Sequence, residues 1–214
     1  MAVIHKTTMK PTKLELLEAW LPGRPWYRGP AGAVPVLERA GGFRLDDPAG
    51  EVGVDFMAVS DSSGAEVVSY LVPLTYRGAP LAGAEGALIG TSEHGVLGTR
   101  WVYDGAYDPV LLGELAALLE GRAVAQAQSV SDAPDLTVVA SFDGPGSWDL
   151  GAAPVVEEGA YGTDVRLGAD APVLRFARVL GAEAAGARGG VTAGWLLPDG
   201  GEPRGAYVRV LDAD

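Results

Sequence analysis

His5 and His94 are the only imidazoles in the 214-residue chain, and it contains no Cys. The two His do not stand at a ligand spacing, so the sequence offers no donor set for a tetrahedral metal site. "SEHG" brings Ser92, Glu93 and His94 close along the chain. Such neighbours could form a Ser–His dyad or a carboxylate–imidazole pair, but adjacency on a loop is a weak signal and an ordinary surface turn is the preferred reading. Gly146-Ser147 in "DGPGSWDL" does not complete a G-x-S-x-G elbow. The Gly-rich stretches "GAEGALIG" and "GARGG" lack the Lys and Ser/Thr of a phosphate-cradling loop. Lys occurs only as Lys6, Lys10 and Lys13, and Asn is absent. After residue 13 no Lys can pair a nucleotide phosphate or form a Schiff base, and no Asn can hold a second magnesium. No metal and no cofactor is therefore expected.

Aromatic residues offer different chemistry. Trp101 and Tyr103 alternate with Val102 behind Arg100, so both rings face one side of a strand. Aromatic faces stack on sugar rings, and a sheet face packed under a helix explains the same pattern. "GRPWYRG" sets Trp26 beside Tyr27 in a turn.

The elements that must hold these residues alternate between turns and short apolar runs. Thr12 and Glu15 make a capping-box pattern ahead of Leu14, Leu17, Trp20 and Leu21 at helical spacing, and Pro22-Gly23 stops the helix. A short strand is expected before it, from Ala2 to about Met9. Strands are expected at 35–45, 52–60 and 66–77, divided by "DDPAG" and "DSSG", and again at 86–91 and 98–104. Val52, Val54 and Phe56, like Val68, Tyr70, Val72 and Leu74, alternate as if one face of each strand were buried. Asp108-Pro109 opens a Leu-rich helix that stops at Gly121 or continues to Ser129. After "SVSDAPD" come further β runs at 136–142, 154–157, 163–167, 172–180, 191–197 and 206–211, with "GAEAAGARGG" read as a mobile loop. The expected class is α+β with an antiparallel sheet, organised as 1–129 and a β-rich region 130–214.

With 48% hydrophobic residues the chain can bury a core, and its 31 Gly and 15 Pro mark turns. The net charge of −12 disfavours nucleic acid and anionic membranes as partners. No signal-peptide pattern and no membrane-length apolar run is seen, so a cytoplasmic location is expected.

"LLEAWLPGRPWYRG", "YLVPLTYR" and "VYDGAYDPVLLGELAALL" together resemble the N-terminal cap domain of actinobacterial maltokinases. The resemblance rests on Trp20-Leu21, Arg24, Trp26-Tyr27, Tyr70, Val72-Pro73-Leu74 and Tyr103-Asp104, with Pro25 inserted between Arg24 and Trp26. It implies a curved antiparallel sheet with helices on one side, in a cystatin-like arrangement, and a link to trehalose, maltose and glucan metabolism. The kinase catalytic motifs are absent. In the kinase-like stretch "YGTDVRLGADAPVLRFARVL", Arg175 stands where the resemblance would place the nucleotide-binding Lys, and Arg is a poor substitute for that point charge.

The resulting expectation is a non-catalytic cap-like protein that binds or regulates a protein partner. Trp26, Tyr27, Arg100, Trp101, Tyr103 and Asp104 are the candidate contact residues. Two alternatives stand beside it: a sugar-acting, maltokinase-related enzyme using Glu93, His94 and Asp104, and a carbohydrate-binding module using Trp101, Tyr103 and Trp148.

Overall fold

A computed structural model of the chain describes residues 8–128, 130, 133–143, 148–151, 153–160, 162–168, 171–182 and 186–212. His5, most of the strand expected from Ala2, the Gly146-Ser147 step and the middle of "GAEAAGARGG" lie outside them. The described residues form thirteen strands and only two α-helices. The first sheet contains β1 (Met9–Lys10), β2 (Leu37–Asp46), β3 (Gly53–Asp61), β4 (Val68–Arg77), β5 (Leu88–His94), β6 (Gly98–Asp104) and β7 (Gln126–Ala127). Its order is β1-β5-β6-β4-β3-β2-β7, antiparallel throughout. The second contains β8 (Val139–Phe142), β9 (Val155–Gly159), β10 (Gly162–Arg166), β11 (Val173–Phe176), β12 (Gly189–Gly194) and β13 (Arg204–Leu211). Its order is β8-β12-β13-β11-β10-β9, again antiparallel.

The expected α+β class with packed helices thus overstates the helical part. Helix α1 (Lys13–Trp20) carries the full Thr12/Glu15 capping box, and α2 (Pro109–Leu119) starts at Asp108, whose side chain accepts from Val110 N. The longer version of α2 does not form. Gly121 takes a left-handed φ of 70°, and the chain beyond it pairs with β2 as β7.

The alternation in β3 and β4 buries both faces of the sheet rather than one. Phe56 pairs with Pro73 and Met57 with Val72, so Val54 and Phe56 point away from the side used by Tyr70, Val72 and Leu74. The latter side is covered by Leu17, Trp20, Leu21 and Trp26 from α1 and the chain after it. The other side packs on α2 and on the inner face of the second sheet. Phe56 stacks on Phe43 at 4.5 Å between ring centres, and Phe176 of the second sheet lies 6.4 Å from Phe56. One apolar cluster therefore spans both sheets.

Backbone hydrogen bonds lace the sheets together at two seams. On β4, Leu71 N donates to Arg178 O and Leu180 N to Ser69 O. On β2, Leu196 N donates at 2.7 Å to the O of Ala40, where the register with β3 shifts between Arg39 and Gly41. Gly42 has φ 115° and Phe56 O would lie 1.9 Å from any Cβ there, so only Gly fits. Pairing consequently runs from β2 through β3, β4, residues 178–180, β11, β13 and β12 back to β2. Pro73 marks the place on β4 where the neighbour changes. Strand β6 pairs only as far as Leu74, and the 178–180 segment begins at Leu71. The residue between them would point its N–H toward that gap, and Pro has none to leave unpaired.

Phe56 touches aromatic rings on both sheets, so Phe56→Ala is expected to cost about 3–5 kcal/mol. Chemical denaturation checks this, and a cost below about 1 kcal/mol would mean that the rings do not share one core.

Candidate functional site

Each candidate residue can be followed from its element. The 3-10 turn Leu21–Gly23 redirects the chain after α1, and "RPWY" then runs back under the first sheet. Trp26 is fully buried there, with Trp20 and Tyr70 rings at 5.8 and 5.9 Å. Tyr27 is half-buried. Its hydroxyl donates to Asp61 Oδ2 at 2.8 Å, and its ring lies 5.7 Å from Tyr70. Tyr70 accepts from Arg28 N at 2.9 Å, and burial pushes its phenol up to about 12, so it stays protonated. Asp61 ties the loop down further by accepting from Val36 N and Ser63 N. Burial alone would raise its pKa, but these N–H bonds and the Tyr27 hydroxyl hold it below the usual range.

Asp104 ends β6 and is completely buried. Its Oδ1 accepts from Ala106 N, and its Oδ2 accepts from Arg178 Nη2 at 2.5 Å. Arg178, also 0% exposed, donates through Nε to Thr163 Oγ1 at 2.7 Å and lies 5.1 Å over the Trp26 ring. Arg24 and Glu158 pair at 3.7 Å nearby, and Tyr107 titrates above its usual range through burial and then through Glu158 and Asp104. The arrangement joins both sheets and seals the Asp104 carboxylate from solvent. One turn later the pattern repeats: Asp108 caps α2 and is held by Arg77 through two bonds of 2.6 and 2.7 Å.

Arg100, Trp101 and Tyr103 sit on β6 away from this cluster. Tyr103 is 2% exposed and its hydroxyl accepts from Leu81 N. Trp101 is half-buried against Tyr103, Ala84 and Ala87. Arg100 points to the opposite face and donates to Leu97 O at 2.8 Å. Trp148 packs on Phe142 at 5.6 Å, on the second sheet. The three aromatics of the sugar-platform alternative thus do not form a row.

Glu93 accepts from Thr99 Oγ1, and Thr99 is five residues from Asp104 along β6, about 17 Å in an extended strand. Glu93, His94 and Asp104 are therefore not brought together. Arg175 bonds twice to Asp164 at 2.6 Å across β10 and β11. Among the described residues no three His, Asp or Glu side chains gather as a metal site, and no helix is long and apolar enough to cross a membrane.

A surface groove of about 660 Å³ opens where residues 178–180 leave β4. Its lining includes Arg28, Pro30, Glu66, Val68, Val179 and Ala182. With one cation, one carboxylate and mostly apolar walls, such a surface can bind but holds no acid–base or nucleophile pair.

Sequence reasoning did not single out Arg178, Thr163 or Asp61. The signal for Arg178 was a charge inside the apolar run "PVLRFARVL", because a charge buried among apolar residues needs a partner.

Two outcomes are expected. Arg178→Met and Asp104→Asn should each cost about 3–5 kcal/mol, with the double variant losing clearly less than the sum. Strict additivity in urea unfolding would mean the pair is not coupled. With its pKa depressed in the fold, Asp61 contributes stability above the ordinary carboxylate value of about 4, and that stability is lost as the pH falls through the depressed value. Asp61→Asn should flatten this acid limb of the melting temperature, and an unchanged slope would refute the assignment.

No curated protein matches the chain. Residues 20–108 match the family model of the maltokinase N-terminal cap domain. The matched segment runs from Trp20 to Asp108 and includes Trp26, Tyr70 and Asp104, the residues that bury themselves between α1 and the two sheets. Residues 20–108, which hold β2 to β6 of the first sheet, are thus similar to a maltokinase N-terminal cap domain.

Proposed function

We propose that the chain is a non-catalytic, cap-like protein that binds and regulates a protein partner in maltose, trehalose or glucan metabolism. The observation that carries this reading is the match of residues 20–108 to the maltokinase cap. The internal use of the segment's acids supports it. Asp104 and Asp108 are both sealed from solvent and held by Arg178 and Arg77, which suits a scaffold better than a reaction centre. Exposed Val36, whose O accepts from Ser62 N, and exposed Val67 lie at the turn between β3 and β4, whose Gly64–Glu66 line the groove, and offer apolar area for a partner.

The test has two arms. Purified chain incubated with magnesium-ATP and maltose should release no ADP above background. Calorimetric titration with a purified maltokinase should give saturable binding. ADP release would restore the sugar-kinase alternative, and a flat titration would overturn the partner proposed here.

A further inference from the structure

The β5–β6 hairpin carries chemistry that the cap reading does not use. Its loop is residues 95–97, with His94 paired to Gly98, and Gly98 takes a left-handed φ of 69°. This is the three-residue hairpin with a glycine bulge. Within it, His94 Nδ1 accepts from Val96 N at 3.3 Å and from Leu97 N at 3.1 Å. Arg100 Nη2 closes the other side by donating to Leu97 O. The peptide groups on either side of Leu97 are thus gripped by two side chains, one accepting and one donating. The tip they shape presents Val96 and Leu97 to solvent, 61% and 45% exposed.

A neutral imidazole can offer Nδ1 as an acceptor, whereas an imidazolium donates from both nitrogens and accepts from neither. Protonation therefore removes the acceptor on which two backbone N–H groups depend. It also sets a new positive charge on the face of the sheet that holds Arg100. The same face meets the start of α1, where Ser92 Oγ donates to Pro11 O and Leu16 lies over Gly90. Among the described residues, the charged groups there are Lys13, bound to Asp55, and Glu15, bound to Thr12. Lys10 and Glu93 face each other across β1 and β5 on the opposite side.

We propose that His94 is a proton-operated latch: the neutral ring holds the 95–97 turn closed, and protonation frees the apolar tip of the hairpin. The latch acts on the presentation of Val96 and Leu97 without touching the buried Asp104–Arg178 pair.

Amide hydrogen exchange on the full chain tests it. Protection factors for Val96 and Leu97, corrected for intrinsic rates, should fall roughly tenfold or more between pH 8 and pH 5, consistent with the loss of two hydrogen bonds. The midpoint should coincide with the titration of the His94 ring protons in the same sample. His94→Asn supplies an amide oxygen in place of Nδ1 and should keep both amides protected at either pH. Equal protection at pH 5 and pH 8 would overturn the latch, as would pH dependence that persists in His94→Asn. Protection elsewhere in β5 and β6 should stay constant, and a uniform loss would assign the change to global unfolding instead.

Discussion

The contact between Arg178 and Asp104 fixes the geometry on which the rest of the structure depends. Each is a full charge with no exposure to water, and burying either alone would carry a large desolvation cost. They can be buried only if β6 of the first sheet and the segment after β11 of the second meet at one point. Once they do, Thr163 accepts from Nε and the Trp26 ring lies over the guanidinium, whose Nη1 is buried with no hydrogen-bond partner among the described residues. Such a pair adds little net stability compared with apolar residues of similar size. Its effect is selective: a sheet shifted by one residue would leave both charges stranded.

The same logic explains why the short motifs of the cap-matching segment are made of the residues they are. In "YLVPLTYR", Tyr70 receives the chain after Trp26, and Pro73 sits where one strand neighbour gives way to another. In "VYDGAYDP", both acids turn the backbone by accepting from the N–H two residues on, and both bind an arginine, Asp104 through Oδ2 and Asp108 through both oxygens. These are positions where backbone direction changes and polar groups must be satisfied inside the protein. They look like a binding signature in the sequence, and their geometry is that of joints.

Much of the framework was legible from local patterns. The strands at 37–46, 53–61 and 68–77, the capping box of α1, the Asp108 start of α2 and the β runs from Val139 onward follow from turn residues and alternation close in sequence. The pattern could not tell which face of each strand lies inward. Phe56 and Val72 look equivalent in one dimension, and only their register with each other sends them to opposite sides. The helical share was overestimated because the Leu-rich run toward residue 119 gave no sign that the chain would join β2 a few residues later. For the candidate residues, neighbours in sequence carried little information. Trp26 and Asp104 draw their environment from Arg178, which a local reading treats as one more charge in a strand.

The seam between Ala40 and Leu196 has a consequence for the birth of the molecule. Roughly 150 residues separate its two ends, and a ribosome adding about 5–20 residues per second needs roughly 8 to 30 seconds to supply the second after the first. For much of that interval Phe43 and Phe56 have α2 but not yet Phe176 and Tyr207 of the second sheet to pack against. The nascent chain therefore carries a half-covered core until the strands of the second sheet arrive, and contacts between residues so far apart in sequence are slow to form.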